Sequence, residues 1–541
     1  MKTKNIITVL TALLMFFTSC TLKEEPRDQI LPEDAYNTPE ELFQNTIATL
    51  YSYIGGNSDG QGLQGTERGV YDLITFSSDE ALIPTRGGDW YDGGIWQDMY
   101  RHSWGAGHEL IKNSWLYLYK VITLCNYSLE IIDEFSDLLD PTTAIQYNSE
   151  VRALRAIYYW YLLDLFGRVP VITSFDISLA DVQQSERSEV FNFVLEELLD
   201  SYKNLPAVNC VRHNDYYARI TQPVAIFVLA KLMLNSEIYN DDNWTDDNYT
   251  TGNELKFTID GIEMNSWEAT LYFCEMMEIF DYMLEPEYRT NFTVRNEVSR
   301  ENIWIIAMDK DLYPNEQHNM YRSYHYRHAA AYGFSGENGT CATKKLLETY
   351  DYGTESQDTR LYENLWVDEV YDLNNEPVTD RSGNILVYYP LEIKLDLSGS
   401  PYVETAGARI KKYEIDKNAK SDGKLMDNDI VLFRYADVLL MRAEALMRLG
   451  WIEEGQNFFN LVRHRANMPD RTLNEKNLLD ERMMELCWEG WRRQDLIRFR
   501  QYRSLYEGSD AVDESDGHTT VFPIPNDIII LNNKLKQNLG Y

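Results

Sequence analysis

The chain has 541 residues, with 86 Asp and Glu against 50 Lys and Arg, for a formal net charge of −36. That balance excludes nucleic acid as a natural partner, because phosphate binding needs a basic face, and it disfavours polyanionic ligands. Hydrophobic residues make up 44% of the sequence, enough for a large core, and the length alone accommodates about two to four domains.

The first element is a leader. Met1-Lys2-Thr3-Lys4 carries two positive charges and no acid; an apolar run from Ile6 to Phe17 follows, and Thr18 and Ser19 precede Cys20. This is the pattern of a secretory signal peptide, spanning residues 1–19. Its apolar core falls short of the roughly 20 residues a membrane span needs, and no later segment approaches that length. A cysteine placed where the apolar run stops is the arrangement of a bacterial lipoprotein signal, in which the sulfur carries lipid. Acyl chains contribute about 0.8 kcal/mol per buried methylene, so several on one residue hold firmly. Residues 20–40 then read as a tether, polar and extended through Thr21-Leu22-Lys23-Glu24-Glu25-Pro26. The other cysteines, at 125, 210, 274, 341 and 487, are scattered and odd in number. They lack zinc-site spacing, and buried free thiols are expected.

Residues 41–240 read as a helical scaffold. Ser149 to Phe166 places Val151, Leu154, Ile157, Tyr158, Tyr161, Leu162 and Leu165 at three- and four-residue steps, and Gly167 and Pro170 stop the helix. Further amphipathic helices are predicted over Glu189 to Leu205 and Ile220 to Tyr239. Residues 241–428 differ: acidic, turn-rich stretches alternate with short strand-like runs at Asn302 to Met308 and Ile385 to Tyr389. Helical periodicity returns over residues 429–541, from Asp429 to Arg448 and, after Gly450, from Glu453 to Ala466. Arg434 to Met468 is therefore one helix–turn–helix unit of roughly the 34-residue tetratricopeptide period. Ala436, Ala443 and Ala445 permit close approach, with Phe458, Phe459 and Val462 filling the groove. Such a unit needs stacked neighbours to bury its face. The expected architecture is mostly α, a helix-pair scaffold split by a loop-rich, partly β insert, and inserts of this kind carry binding groups on a rigid frame.

Several motifs resemble one family. They are the Glu24 to Ile30 segment with the PEDAYNTPEEL run, RALRAIYYWYLLDLFGRVPVI from Arg152 to Ile172, and RYADVLLMRAEALMRLG from Arg434 to Gly450. NLVRHRA from Asn460 to Ala466, ERMMELCWEGWRRQDLIRF from Glu481 to Phe499, and the closing FPIPNDIIILNNKLKQNLGY follow in order. The chain resembles the SusD/RagB family, the outer-membrane lipoproteins of Bacteroidetes that work in glycan uptake, nearly end to end. The resemblance implies four tetratricopeptide-like helix pairs under a variable ligand region. It implies capture of an oligosaccharide without cleavage; no cofactor or metal is expected. It further implies a SusC-like TonB-dependent transporter as partner, and an outward-facing membrane position to which Lys23-Glu24-Glu25, similar to an acidic export signal, would direct the protein. A peptide-binding member of the same family and a glycoside hydrolase are the competing readings.

Sugar rings present apolar C–H faces rimmed by hydroxyls, so their sites need flat aromatic faces and a few orienting polar groups. Ser77 to Trp96, SSDEALIPTRGGDWYDGGIW, has that makeup: Trp90 and Tyr91 beside Asp79, Arg86, Asp89 and Asp92, on a loop made pliable by glycines. Trp90 aligns with a stacking tryptophan of starch-binding family members; it or Trp96 could equally anchor the loop. A second cluster, Asn319 to Gly339, gathers Tyr321, Tyr324, Tyr326, Tyr332 and Phe334 around Arg322, His325, Arg327 and His328. Its alternation also suits a half-buried strand edge. Glu485 and Glu489 mimic the paired carboxylates of a glycosidase, but their setting favours a structural ion-pair network, with Glu489 four residues before Arg493. His325 and His328 lack a third ligand at metal-site spacing, and the DDNWTDDN run from Asp241 reads as a solvated turn because it lacks the glycine and closing glutamate of a calcium loop.

Overall fold

The computed structural model describes residues 35–57, 59–210, 214–246, 248–503 and 516–541. The leader, Cys20 and Lys23-Glu24-Glu25 lie outside them. Eight helices frame the molecule: α1 Glu109–Glu134, α2 Pro141–Phe166, α3 Arg187–Ser201, α4 Gln222–Leu234, α5 Ser266–Met276, α6 Tyr435–Arg448, α7 Ile452–Arg465 and α8 Glu475–Glu485. α2 shows why they form where they do. Asp140 caps it by accepting from the Thr142 and Thr143 amides. Pro141 opens its first turn, where no intrahelical amide bond is lost, and Gly167 closes it at a φ of 62°.

The helices stack in sequence, α1 on α2, α2 on α3, α4 on α5, α5 on α6 and α6 on α7. One apolar cluster runs through them from Ile47 to Ile524. In the α6–α7 unit, Ala436, Ala443, Ala445, Phe459 and Val462 are buried as expected. Phe458 is only partly covered and lies under the Arg442 guanidinium at 4.1 Å. The free cysteines at 125, 210, 274, 341 and 487 are all buried. Among the described residues, no helix is long and apolar enough to cross a membrane.

Two expectations need correction. The scaffold extends into the stretch read as loop-rich, because α5 packs between α4 and α6. Asn265 and Glu268 form a capping box at its start. The helix expected from Asp429 begins only at Tyr435; before it, β4 Ile430–Arg434 pairs antiparallel with β2 Asn302–Ile306. Every residue of both strands is buried, so the sequence lacks the polar alternation that marks a half-exposed strand. A shorter antiparallel pair, β1 Ala81–Leu82 with β3 Cys341–Ala342, ties the Trp90 loop to the end of the tyrosine-rich segment.

Charged side chains fill the seam between α6, α8 and the insert. Arg434, buried, meets Glu301 at 2.7 Å, Glu485 at 2.5 Å and Glu489 at 2.8 Å. Lys412 adds a 2.8 Å contact to Glu489, and Arg360 reaches Glu481 and Glu485 at 2.7 and 2.8 Å. Burial pushes the Glu485 carboxyl up, but Arg465, Arg434 and Arg360 outweigh it and hold the group well below the usual carboxylate range. The helical pairing expected between Glu489 and Arg493 does not form. Trp488 and Gly490 break the helix at positive φ, and Arg493 turns instead to Asp164 at 3.4 Å. Glu485 and Glu489 are thus the structural ion-pair network the sequence suggested, closed to any substrate.

Candidate functional site

The two stretches singled out in the sequence meet on one face. From β1 the chain enters a tight turn in which Arg86 and Asp89 exchange backbone hydrogen bonds of 2.9 and 3.1 Å around Gly87-Gly88. Gly87, Gly93 and Gly94 take positive φ freely. Trp90 does so too, at 61°, at a cost of about 1–3 kcal/mol that surrounding contacts must offset. Its indole Nε1 donates to the Glu337 carbonyl at 2.8 Å, and its own carbonyl accepts from Gln97 at 3.3 Å. Its ring lies so close to Gly339 that a Cβ there would come within 2.7 Å. Trp96, fully buried, meets it edge-on at 6.2 Å and donates to Asp92 at 2.9 Å. Trp96 is therefore the loop's anchor. Trp90 is fixed as firmly but remains half-exposed.

Beyond Trp90, Tyr91 is 60% exposed. Asp89 and Asp92 are exposed as well, Asp92 pairing with Arg68 at 3.1 Å. From the tyrosine-rich segment, Tyr326 reaches this surface and donates its hydroxyl to Asp89 at 2.9 Å. Tyr326 and Asp89 thus meet beside Trp90, with Tyr91 and Asp92 exposed on the same loop.

The other expected contact residues are structural. Asp79 is buried, with both carboxylate oxygens taken by Arg492 at 2.6 and 2.8 Å. Arg86 is buried beneath the turn, donating to the Val403 and Ala406 carbonyls and to Cys341 Sγ at 2.6, 2.9 and 2.9 Å. Tyr321, Tyr324, Tyr332 and Phe334 are core residues. The expected strand edge is instead two short helices, His318–Ser323 and Tyr326–Ala331. They wind these rings inward, with Tyr321 at 5.0 Å from Phe334 and 5.8 Å from Tyr324.

The histidines of this segment are likewise occupied. His328 bonds Tyr388 at 2.9 Å and Tyr332 at 3.1 Å, and His325 bonds Glu404 at 3.3 Å. Burial lowers them to about 4 for His325 and about 3 for His328. Both stay neutral in the fold while an unfolded chain protonates them below about pH 6.5. Their stability contribution is therefore present above that pH and lost as pH falls toward the folded values. Between pH 7 and 5 the wild type should lose about 1–2 kcal/mol relative to His328→Gln in urea unfolding; parallel pH profiles would contradict this. Glu67, His318 and Glu337 bring possible metal donors within 4.8 Å of one another. Arg68 and Lys424 stand 3.8 and 4.0 Å from these carboxylates, countercharge that a cation would have to displace.

Sequence reasoning missed Tyr389, Tyr402 and Glu404. Tyr389 is 39% exposed and Tyr402 half-buried, with ring centroids 4.6 Å apart. No spacing signal marks them, because the backbone bonds Tyr389 N to Thr405 O and Gly407 N to Tyr389 O, at 3.0 and 2.9 Å, bring them together.

The stacked helical scaffold thus locks its paired carboxylates in ion pairs and carries its exposed aromatics on a braced loop. Residues 300–541 match the family described as the SusD family, and residues 83–253 one described as starch-binding associating with outer membrane. The chain belongs to the SusD/RagB family of non-catalytic binding proteins. The starch-binding protein SusD of Bacteroides thetaiotaomicron is 26% identical over the full length of both chains. A SusD superfamily protein of Bacteroides vulgatus superposes with a TM-score of 0.71 at 18% identity, covering 94% of this chain and 100% of that one. Surface glycan-binding protein A of Bacteroides thetaiotaomicron, solved in complex with laminarihexaose, gives 0.71 at 19% identity, covering 93% and 99%.

Proposed function

We propose that this protein is a cell-surface lipoprotein that captures an oligosaccharide on the Trp90–Tyr91–Tyr326 face and delivers it to a SusC-like TonB-dependent transporter. The observation that carries the reading is the convergence of exposed Tyr91 and half-exposed Trp90 and Tyr326 with carboxylates on one braced surface. Aromatic faces cover the C–H side of a sugar ring, and Asp89 and Asp92 accept hydrogen bonds from the hydroxyls at its edge. Relatives named for starch binding or solved with laminarihexaose support a glucan as ligand. Retardation of the untethered protein in gels containing starch-type or laminarin-type glucan tests the reading. Unretarded migration across a broad polysaccharide panel, together with binding of peptides, would replace it with the peptide-binding alternative.

The anchor is part of the same proposal. Cys20, followed by Lys23-Glu24-Glu25, gives an outward-facing tether that lets the protein swing as a lid while staying over its transporter. Cys20→Ala should release the protein into the soluble fraction with its glycan binding unchanged. Continued membrane retention of that variant would overturn the anchor and leave the binding site standing.

A further inference from the structure

We propose that Arg187, Trp244 and Arg500 form a binding site for a small organic monocarboxylate, sharing no residue with the Trp90 face. They line a cavity of about 300 Å³ together with Ile238, Tyr249 and Ile497. Sites for small molecules run from roughly 300 to 1,000 Å³, so this one suits a single small ligand. Three segments build it. Arg187 is the first residue of α3. Trp244 belongs to the DDNWTDDN run, which is not wholly solvated, because this ring is buried. Asp241 shapes the turn by accepting from the Asn243 amide at 3.0 Å. Gly517, at a φ of 110°, closes in so near the Trp244 carbonyl that a Cβ there would come within 2.6 Å.

An unpaired charge marks this cavity. Arg187 is 1% exposed, yet among the described residues its side chain makes no hydrogen bond and no ion pair. Its Nε is sealed in the protein, and its terminal nitrogens face the cavity. Other fully buried arginines have partners: Arg322 has Asp72 at 2.6 Å, Arg482 has Asp437 at 2.7 Å, and Arg409 has the Ala406 and Gly407 carbonyls at 2.7 and 2.8 Å. Burial draws the Arg187 guanidinium down to about 10, which leaves it charged at neutral pH. The Tyr239 and Trp244 rings, each 5.7 Å from its centre, offset part of the cost of burying it. A carboxylate offsets more, because its two oxygens match the guanidinium fork. Trp244 supplies a second buried donor without a partner, its indole Nε1. Arg500, exposed and 3.9 Å from the centre of the Tyr249 ring, adds positive charge. Asp241, Asp246 and Asp516 line the cavity too, held by the Asn243 amide, the Asn248 amide and His518. Their charge repels phosphate and polyanions and favours a ligand with one negative charge. Ile238, Ile497 and the aromatic rings suit a flat apolar body behind that acid group.

The test is calorimetric titration of the untethered full chain with benzoate, with benzyl alcohol as its uncharged counterpart and inorganic phosphate as the multiply charged one. The wild type should bind benzoate about tenfold more tightly than either control. Arg187→Met should weaken benzoate binding by about tenfold or more. Trp244→Phe, which keeps a ring and deletes the N–H, should weaken it by about tenfold, and Arg500→Gln severalfold. Without ligand, Arg187→Met should melt within a few degrees of the wild type or above it, because an unpaired buried charge leaves with the side chain. Should that variant fail to fold, Trp244→Phe and Arg500→Gln decide, the latter at an exposed side chain. A wild type that binds no benzoate, equal affinity for benzyl alcohol, or unchanged benzoate affinity in the folded variants overturns the site. Phosphate bound as tightly as benzoate overturns the monocarboxylate assignment. Glucan retardation in gels should be the same for all three variants as for the wild type, which keeps failure of this site distinct from failure of the glycan reading.

Discussion

Arg434→Met should lower folding stability by about 3–5 kcal/mol, one of the largest single-site losses available in this chain. The guanidinium is buried and satisfies Glu301, Glu485 and Glu489 together. Removing it leaves three carboxylates in the interior with part of their countercharge gone, which costs more than the original pairing contributed. Adding Glu485→Gln to Arg434→Met should recover part of the loss, because one uncompensated charge disappears with it. The unfolding midpoint in urea reads both changes, and a shift corresponding to under about 1 kcal/mol for the single variant would contradict the structural role. This network and a second one, in which Lys231 and Arg482 hold Asp437 and Arg498 holds Glu444, set an acid limit. Glu485, Asp437 and Glu444 lie below the usual carboxylate range, burial being outweighed by neighbouring cations. Their contribution is fully present above the unfolded pKa values, about 4, and is lost as pH falls below them.

Trp90→Ala should reduce glycan affinity by about tenfold or more, while the melting temperature moves by only a few degrees. The ring serves two roles at once. Its exposed part offers a stacking surface, and its indole N–H, through the Glu337 carbonyl, holds a backbone that would otherwise leave its positive φ. Gly339→Ala should reproduce much of the defect without touching the ligand, since the added methyl would press into the indole. Tyr91→Ala should weaken binding and leave the loop intact, because that side chain projects outward. Affinity electrophoresis separates these variants. Unchanged retardation of Trp90→Ala would move the site elsewhere.

What could be read in the sequence depended on the signal each element carries. α7 was legible because it keeps an exposed face, so its apolar residues recur at helical spacing. α2 and α6, which expose no residue over 149–166 and 435–448, were legible through long apolar runs ended by Gly167 and Gly450. β4 was not, since all five of its residues are buried and a run such as IVLFR merges with the helix after it. α5 carried a readable signal in Asn265 and Glu268, hidden by the acidic turns before it. At the candidate site, residue type singled out two stretches that the fold brings together, but not which of their residues reach the surface. Tyr326 and Tyr324 are chemically alike, and only the winding of two short helices sends one to the surface and the other into the core. Asp79 and Arg86 look like ligand groups in sequence, yet their partners, Arg492 and the Val403 and Ala406 carbonyls, lie hundreds of residues away. The Tyr389–Tyr402 pair exists only through backbone bonds that no periodicity records.

Hydrogen–deuterium exchange of the untethered protein with and without a saturating glucan hexasaccharide tests the binding face most directly. Protection should appear in the peptides covering residues 85–96, 324–340 and 389–406, with the helical scaffold unchanged. Protection confined to other segments, with these three exchanging as in the free protein, would contradict the assignment of this surface as the glycan site.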